Sequence, residues 1–230
     1  MAVILINPFA LGAGSPPVTP IAFVHANQDT TADGSAGLTV SAGSRTNGNT
    51  VYAAISYPLV ATLDGAILFG GQTMEQVGAN SDAGDNLWVA LWRRYLDGTE
   101  SDNNCILTTD SAVRANLHVL EFSGLPNVGA ESTETGNRAT SSTMAMVTSA
   151  LAPTSTNNLI IAVGGYADAS NQYSSGPTNG FTRLTPVGGA TIRQEVIYLI
   201  RSADNASISS DITLTGSYSW GSVSAAFGGN

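Results

Sequence analysis

The stretch Leu87-Trp88-Val89-Ala90-Leu91-Trp92-Arg93-Arg94-Tyr95 runs nine residues without Gly, Pro or Asp in a chain otherwise dense with turn formers. It reads as a central β-strand. Leu87, Val89 and Leu91 fall on one side of the pleat and Trp88, Ala90 and Trp92 on the other, so both faces need cover. A sheet with one face open to water is thereby excluded. A similar stretch, Glu195-Val196-Ile197-Tyr198-Leu199-Ile200-Arg201, occurs in the second half. Aligning Arg201 with Arg93, Leu199 with Leu91 and Ile197 with Val89 predicts an internally duplicated chain.

Around these two stretches the chain alternates strand-like segments and turns at the spacing of an all-β sandwich, and helical periodicity is nowhere sustained. The predicted strands of the first half are 21–26, 38–42, 50–57, 66–69, 73–77, 87–95, 105–109 and 114–123. Those of the second are 143–149, 158–165, 181–184, 193–201, 211–215 and 219–227. Asp33-Gly34, Asn47-Gly48, Gly70-Gly71 and Asp97-Gly98 supply turns where positive φ is needed. Further anchors of the duplication are Asn49 with Asn158, Gly71 with Gly180, and Phe122 with Phe227, giving pseudo-repeats at about 38–124 and 143–229. Residues 124–142 lack apolar periodicity and read as a crossover or linker. Each half alone would expose an apolar face of its long strand, which favours one sandwich built from both halves.

Residues 1–20 carry Pro8, Pro16, Pro17 and Pro20 with Gly12 and Gly14 and read as an extended arm. Ile4, Ile6, Phe9 and Leu11 within it have no helical or strand face to join. They are the candidate interface residues, packing either on their own sandwich or on a neighbouring subunit.

Composition narrows the partners. Charged residues are 11% of the 230, with no Lys and a net charge of −9, against roughly 25% charged in an average soluble domain. A surface of Ser, Thr, Asn, Gly and Ala suits contact with other protein. The eight basic residues, all Arg, form no basic stripe, so nucleic acid is not an expected partner. The apolar start Val3-Ile4-Leu5-Ile6 is cut short by Asn7-Pro8, and the first basic residue is Arg45. Neither an export signal nor a membrane span is therefore expected. The composition resembles that of an extracellular adhesive module, and a virus particle assembled in the cytoplasm reconciles the two.

The Asn before a buried strand in Asn49-Thr50-Val51-Tyr52-Ala53 and Asn158-Leu159-Ile160-Ile161-Ala162, the hairpin into Phe69-Gly70-Gly71-Gln72-Thr73-Met74, the run Leu91-Trp92-Arg93-Arg94 and the closing Phe122-Ser123-Gly124 form one pattern. It resembles the jelly-roll β-sandwich modules of tailed-bacteriophage virion proteins, also found in bacterial surface proteins. The resemblance spans about Leu38 to Phe227, and Asn7-Pro8-Phe9 after an apolar tetrad is similar to the start of some phage structural proteins. It implies a non-enzymatic virion component, as capsid decoration, head fibre or tail-associated protein. Other virion proteins and further copies of the chain are the implied partners. The family pattern brings no catalytic residue, cofactor or metal.

The residues that could carry chemistry are few. His118 shares a face with Leu120 and Phe122 and is expected to be a satisfied core histidine. His25 has no His or Cys at ligand spacing. The serines lie in low-complexity loops without a nucleophile elbow. Cys105, the single thiol, is expected to act as a small buried hydrophobe. The acidic loops 81–86 and 97–104 match no calcium motif and stand at opposite ends of a strand about 30 Å long, so solvated turns are expected. The alternative function is carbohydrate binding for host adhesion, with Tyr166 and Tyr173 bracketing a polar loop as glycan contacts.

Overall fold

The computed structural model describes residues 18–30, 36–59, 61–82, 87–168, 170, 172–188 and 191–229. The arm residues Ile4, Ile6, Phe9 and Leu11 lie outside them. In chain order the first half contributes β1 (Ala22–Thr30), β2 (Gly37–Ser41), β3 (Thr50–Pro58), β4 (Leu68–Phe69), β5 (Gln72–Thr73), β6 (Glu75–Asp82), β7 (Leu87–Tyr95), β8 (Asn104–Thr108) and β9 (Asn116–Ser123). The second contributes β10 (Ser132–Val147), β11 (Asn158–Tyr166), β12 (Tyr173–Ser175), β13 (Thr182–Arg183), β14 (Val187–Gly188), β15 (Arg193–Arg201) and β16 (Ser210–Gly228). The described chain is all-β, without a helix, and its strand pairs are antiparallel.

These strands make three sheets. The central sheet runs β1-β9-β3-β7-β6, the small sheet β2-β8-β4-β5, and the large sheet β10-β16-β11-β15-β13 with β12 and β14 attached at β16 and β15. Strand β7 shows why they must stack. Trp88 and Trp92 pack toward Leu38, Val40, Cys105 and Leu107 of the small sheet, while Leu91 packs with Leu159, Ile161 and Val163 of β11. The central sheet is therefore covered on both faces, as its two-sided hydrophobicity requires. Burying each Leu, Ile or Val here contributes about 1.5–3 kcal/mol.

The outer face of the large sheet is covered by two of its own strands, the paired β10 and β16. Ile160 and Ala162 of β11 and Ile197 of β15 pack on Met144 and Met146 from the end of β10 and on Ile212 and Leu214 from the start of β16. The register of the β10–β16 pair jumps from Ser141↔Tyr218 to Thr143↔Thr213, which is where the pair folds over. Two glycines set the spacing of the central and large sheets. A Cβ on Gly165 of β11 would stand 2.9 Å from Val89 Cγ1 and 3.1 Å from Leu87 Cδ1, and one on Gly78 of β6 would stand 2.9 Å from Val223 Cγ2. A side chain at either position would push the sheets apart.

Several segments differ from the expected ones. The span expected to be a strand-free crossover contains most of β10, whose residues 132–135 and 137–143 are exposed or half-buried and mostly polar. This is an edge strand held by pairing with β16, so no apolar alternation marks it. The two strands expected at 211–215 and 219–227 are one bent strand, β16. The strand expected at 73–77 is split at Met74, where the chain passes from β5 in the small sheet to β6 in the central one.

The central order β1-β9-β3-β7-β6 and the large order β10-β16-β11-β15-β13 follow the same scheme: first strand at one edge, last strand beside it, the Asn-led strand next, then the long strand. Thr50 lies opposite Phe122, and Leu159 opposite Phe227, in keeping with the Asn49/Asn158 and Phe122/Phe227 anchors. The Arg93/Arg201 anchor does not fit this register. Thr50 also pairs with Tyr95 and Leu159 with Ile200, which sets Arg93 against Tyr198 and Leu91 against Val196. Leu91 and Val196 both face the junction of the two sheets, whereas Leu199 faces the folded-over ends of β10 and β16.

Candidate functional site

A groove of about 610 Å³ runs along β1, between that strand and residues 184–185. Among the described residues β1 is an edge of the central sheet. Phe23 and Ala26 pack into the core between the central and large sheets, and the Phe23 ring stacks on Tyr198 with centroids 5.0 Å apart and planes 13° apart. Leu184 and Thr185 form the opposite wall. The register shifts between Phe23 and His25, leaving Val24 in a bulge and 42% exposed. The other side of the same sheet pair is closed: Asn80 Nδ2 donates to Asn137 O at 2.7 Å and to Ser222 O at 3.2 Å.

On the opposite face of β1, His25 stands over Glu121 of β9. The Glu121 side chain is fully buried; its Oε1 accepts from Asn49 Nδ2 at 2.5 Å and from the Thr46 N–H at 3.1 Å. Its Oε2 lies 3.6 Å from His25 Nδ1. His25 Nε2 makes no hydrogen bond to a described residue. The carboxylate and imidazole form an ion pair when His25 is protonated, but no described hydroxyl or thiol is hydrogen-bonded to Nε2 as a relay would require.

His118 is in the core between the central and large sheets, as its neighbours on β9 imply. Its Nε2 donates to the Thr185 carbonyl at 2.9 Å and its Nδ1 faces the Gln194 side-chain amide at 2.7 Å. The orientation that satisfies both groups turns the Gln194 NH₂ toward Nδ1, because the ring proton is committed to Thr185. Burial holds the imidazole below its ordinary value. The unfolded chain therefore takes the proton first as pH falls. The stability from a neutral His118 is complete above about pH 6.5 and declines below it by up to about 1.4 kcal/mol per pH unit. His118→Gln is expected to flatten this part of the pH dependence between pH 7 and 5.5, checked by urea unfolding of both proteins at each pH. An unchanged pH dependence would contradict the assignment.

The two tyrosines considered as glycan contacts sit near one another with different surroundings. Tyr166 is fully buried, and its hydroxyl accepts the Gln172 N–H at 3.2 Å, so it presents no ring face to a sugar. Tyr173 is half-buried; the Arg183 guanidinium covers its ring at 3.5 Å, and its hydroxyl donates to Gly176 O at 2.5 Å. Arg183 in turn forms a two-bond pair with the fully buried Glu195 at 2.6 and 2.8 Å. Burial pushes the Glu195 carboxyl above its ordinary value despite that partner.

In the acidic loop after β7, Glu100 is turned inward while Asp97 and Asp102 are exposed. Glu100 accepts from Arg94 Nε at 2.8 Å and from the Gly98 N–H at 3.1 Å, and Asp97 Oδ1 accepts from the Thr99 hydroxyl and N–H. These hydrogen bonds, with Arg94 beside them, hold the Asp97 carboxyl below its ordinary value. A smaller polar cleft of about 130 Å³ adjoins this loop, lined in part by Glu75, Arg93, Tyr95 and Asn127. Arg93 there is already paired with Glu75 at 2.7 Å. Residues 83–86 of the other acidic loop lie outside the described residues. Among the described residues no group of three His, Cys, Asp or Glu could hold a metal ion.

Cys105 is fully buried with its Sγ 3.9 Å from Met74 Sδ, and burial pushes the thiol up to about 12. It is expected to resist alkylation by iodoacetamide in the native protein and to react once the chain is unfolded. Native labelling at the rate of a free thiol would contradict this.

The groove residues and the Arg183–Glu195 and Asn49–Glu121 pairs were not marked in the sequence. Each depends on which strands become neighbours. No protein-family model, curated protein or solved structure matches the chain.

Proposed function

We propose that the chain is a non-enzymatic structural protein of a bacteriophage virion, a capsid decoration, head fibre or tail-associated component. It is held to the particle by its N-terminal arm, assembles in the host cytoplasm and acts in several copies. Its two halves are pseudo-repeats of one jelly-roll-like unit, a reading supported by the shared strand order of the central and large sheets.

The observation that carries the functional reading is where the reactive groups lie. His118, Glu121, Glu195 and Cys105 are buried within or between sheets, and His118, Glu121 and Glu195 are hydrogen-bonded there. What remains outside is a surface poor in charge, suited to packing against other protein shells. Electron microscopy of particles assembled with and without the chain tests this. Particles without it are expected to lose discrete, symmetrically placed density that returns when purified protein is added. Unchanged density in the two preparations would overturn the proposal.

A further inference from the structure

The groove along β1 has the form of a site for one more extended segment. It follows Phe23 to Gln28, six residues or about 20 Å of strand, and an edge strand with a groove of mixed apolar and polar lining beside it accepts a peptide by strand addition, through main-chain hydrogen bonds and side-chain pockets together. The lining combines Phe23, Val24, Ala26 and Leu184 with the uncharged polar Asn27, Gln28 and Thr185, and His25 is its only titratable residue. The chain holds a matching segment outside the described residues. Residues 1–17 contain no charged side chain, and Val3–Leu11 hold six large apolar residues: Val3, Ile4, Leu5, Ile6, Phe9 and Leu11.

The path into β1 favours the arm of another copy. Ile21 is anchored in the core, Thr19 O accepts from Asn157 Nδ2 at 3.3 Å, and the Pro20 carbonyl packs against Gly124. The chain thus arrives from the Asn157 end and not from the groove. Pro16, Pro17 and Pro20 fix φ near −65° and oppose an early reversal onto the same β1. We propose that residues 3–11 of one copy dock in the β1 groove of a second copy, adding a strand there and linking subunits head to tail or in a closed ring. This rests on reading the arm as the docking element, and makes the arm-linked set of copies, not a single subunit, what holds to the particle.

The test uses the full chain, a chain starting at Val18 and the full-length variant Thr185→Arg. Thr185 is exposed on the groove wall and meets His118 only through its backbone, so the added side chain obstructs the groove without entering the core. Light scattering at increasing concentration is expected to show the full chain self-associating, with both altered proteins monomeric. Amides of β1 are expected to exchange at least ten-fold more slowly in the full chain than in the shortened one. A synthetic peptide of residues 2–12 is expected to bind the shortened chain, and Phe9→Ala in that peptide to weaken binding about ten-fold or more. A monomeric full chain whose β1 is nonetheless protected would mean that the arm fills its own groove, and would overturn the proposal. So would equal β1 exchange with and without the arm. In that last case particle binding that still needs the arm would leave the proposed function standing.

Discussion

Tyr52→Ala is expected to destabilise the protein by about 3–5 kcal/mol, the cost of emptying a large aromatic site in a packed core. Tyr52 is 1% exposed on β3 and lies where the two halves meet. Its ring is 4.7 Å from Phe227 in the large sheet and 5.9 Å from Phe122 in the central one, and aromatic pairs add about 0.5–1.5 kcal/mol beyond the area they bury. Because the ring bridges both halves, the loss should lower the midpoint of a single urea transition followed by fluorescence and circular dichroism together. Two separated transitions, only one of them shifted, would show that the halves fold independently.

Arg183→Met is the second large effect, about 3–5 kcal/mol, because it leaves the fully buried Glu195 carboxylate without its cation. The sign of its pH dependence identifies the cause. Burial already raises the Glu195 carboxyl, and Arg183 is the main group opposing that rise, with a smaller contribution from Arg193. Without Arg183 the folded-state value rises further, so the folded protein binds the proton more tightly than the unfolded chain, whose value is about 4.3. The penalty is then smallest in acid and grows as pH rises through the window between those two values. Stability of the variant should recover partly on going from pH 7 to 5, or at any pH when Glu195→Gln is added. A loss independent of pH and unrelieved by Glu195→Gln would point to the stacking on Tyr173 instead.

The parts of this fold that were legible in the sequence follow from local rules. Alternation in Leu87–Tyr95 shows a strand with two covered faces. The glycines at 48, 70, 71 and 98, all with positive φ, mark turns by backbone sterics alone. The face shared by His118, Leu120 and Phe122 follows from the two-residue period. What was not legible depends on partners distant in the chain. Residues 132–143 form an edge strand without an apolar stripe, so nothing in their own order distinguishes them from a linker. Glu121 is buried because Asn49, just before β3, and His25 on β1 arrive from elsewhere in the chain, and Glu195 because Arg183 pairs across a register that the sequence does not display. The Arg93/Arg201 anchor failed for the same reason. Each arginine ends a hydrophobic run, but cross-strand register, not similarity of the run, decides which positions are equivalent. The groove at β1 arises from how two sheet edges fail to meet, a tertiary property with no local signature.

The central claim is that folding and attachment reside in different parts of the chain. If Ile4, Ile6, Phe9 and Leu11 bury on a neighbour, each contributes up to about 1.5–3 kcal/mol, and several copies acting together hold firmly. The most direct test compares the full chain with one starting at Val18, which keeps the Thr19–Asn157 contact, for melting temperature and for binding to particles that lack the protein. The expected result is a melting temperature within a few degrees of the full chain together with loss of particle binding. A shortened chain that decorates particles at full occupancy would contradict the account.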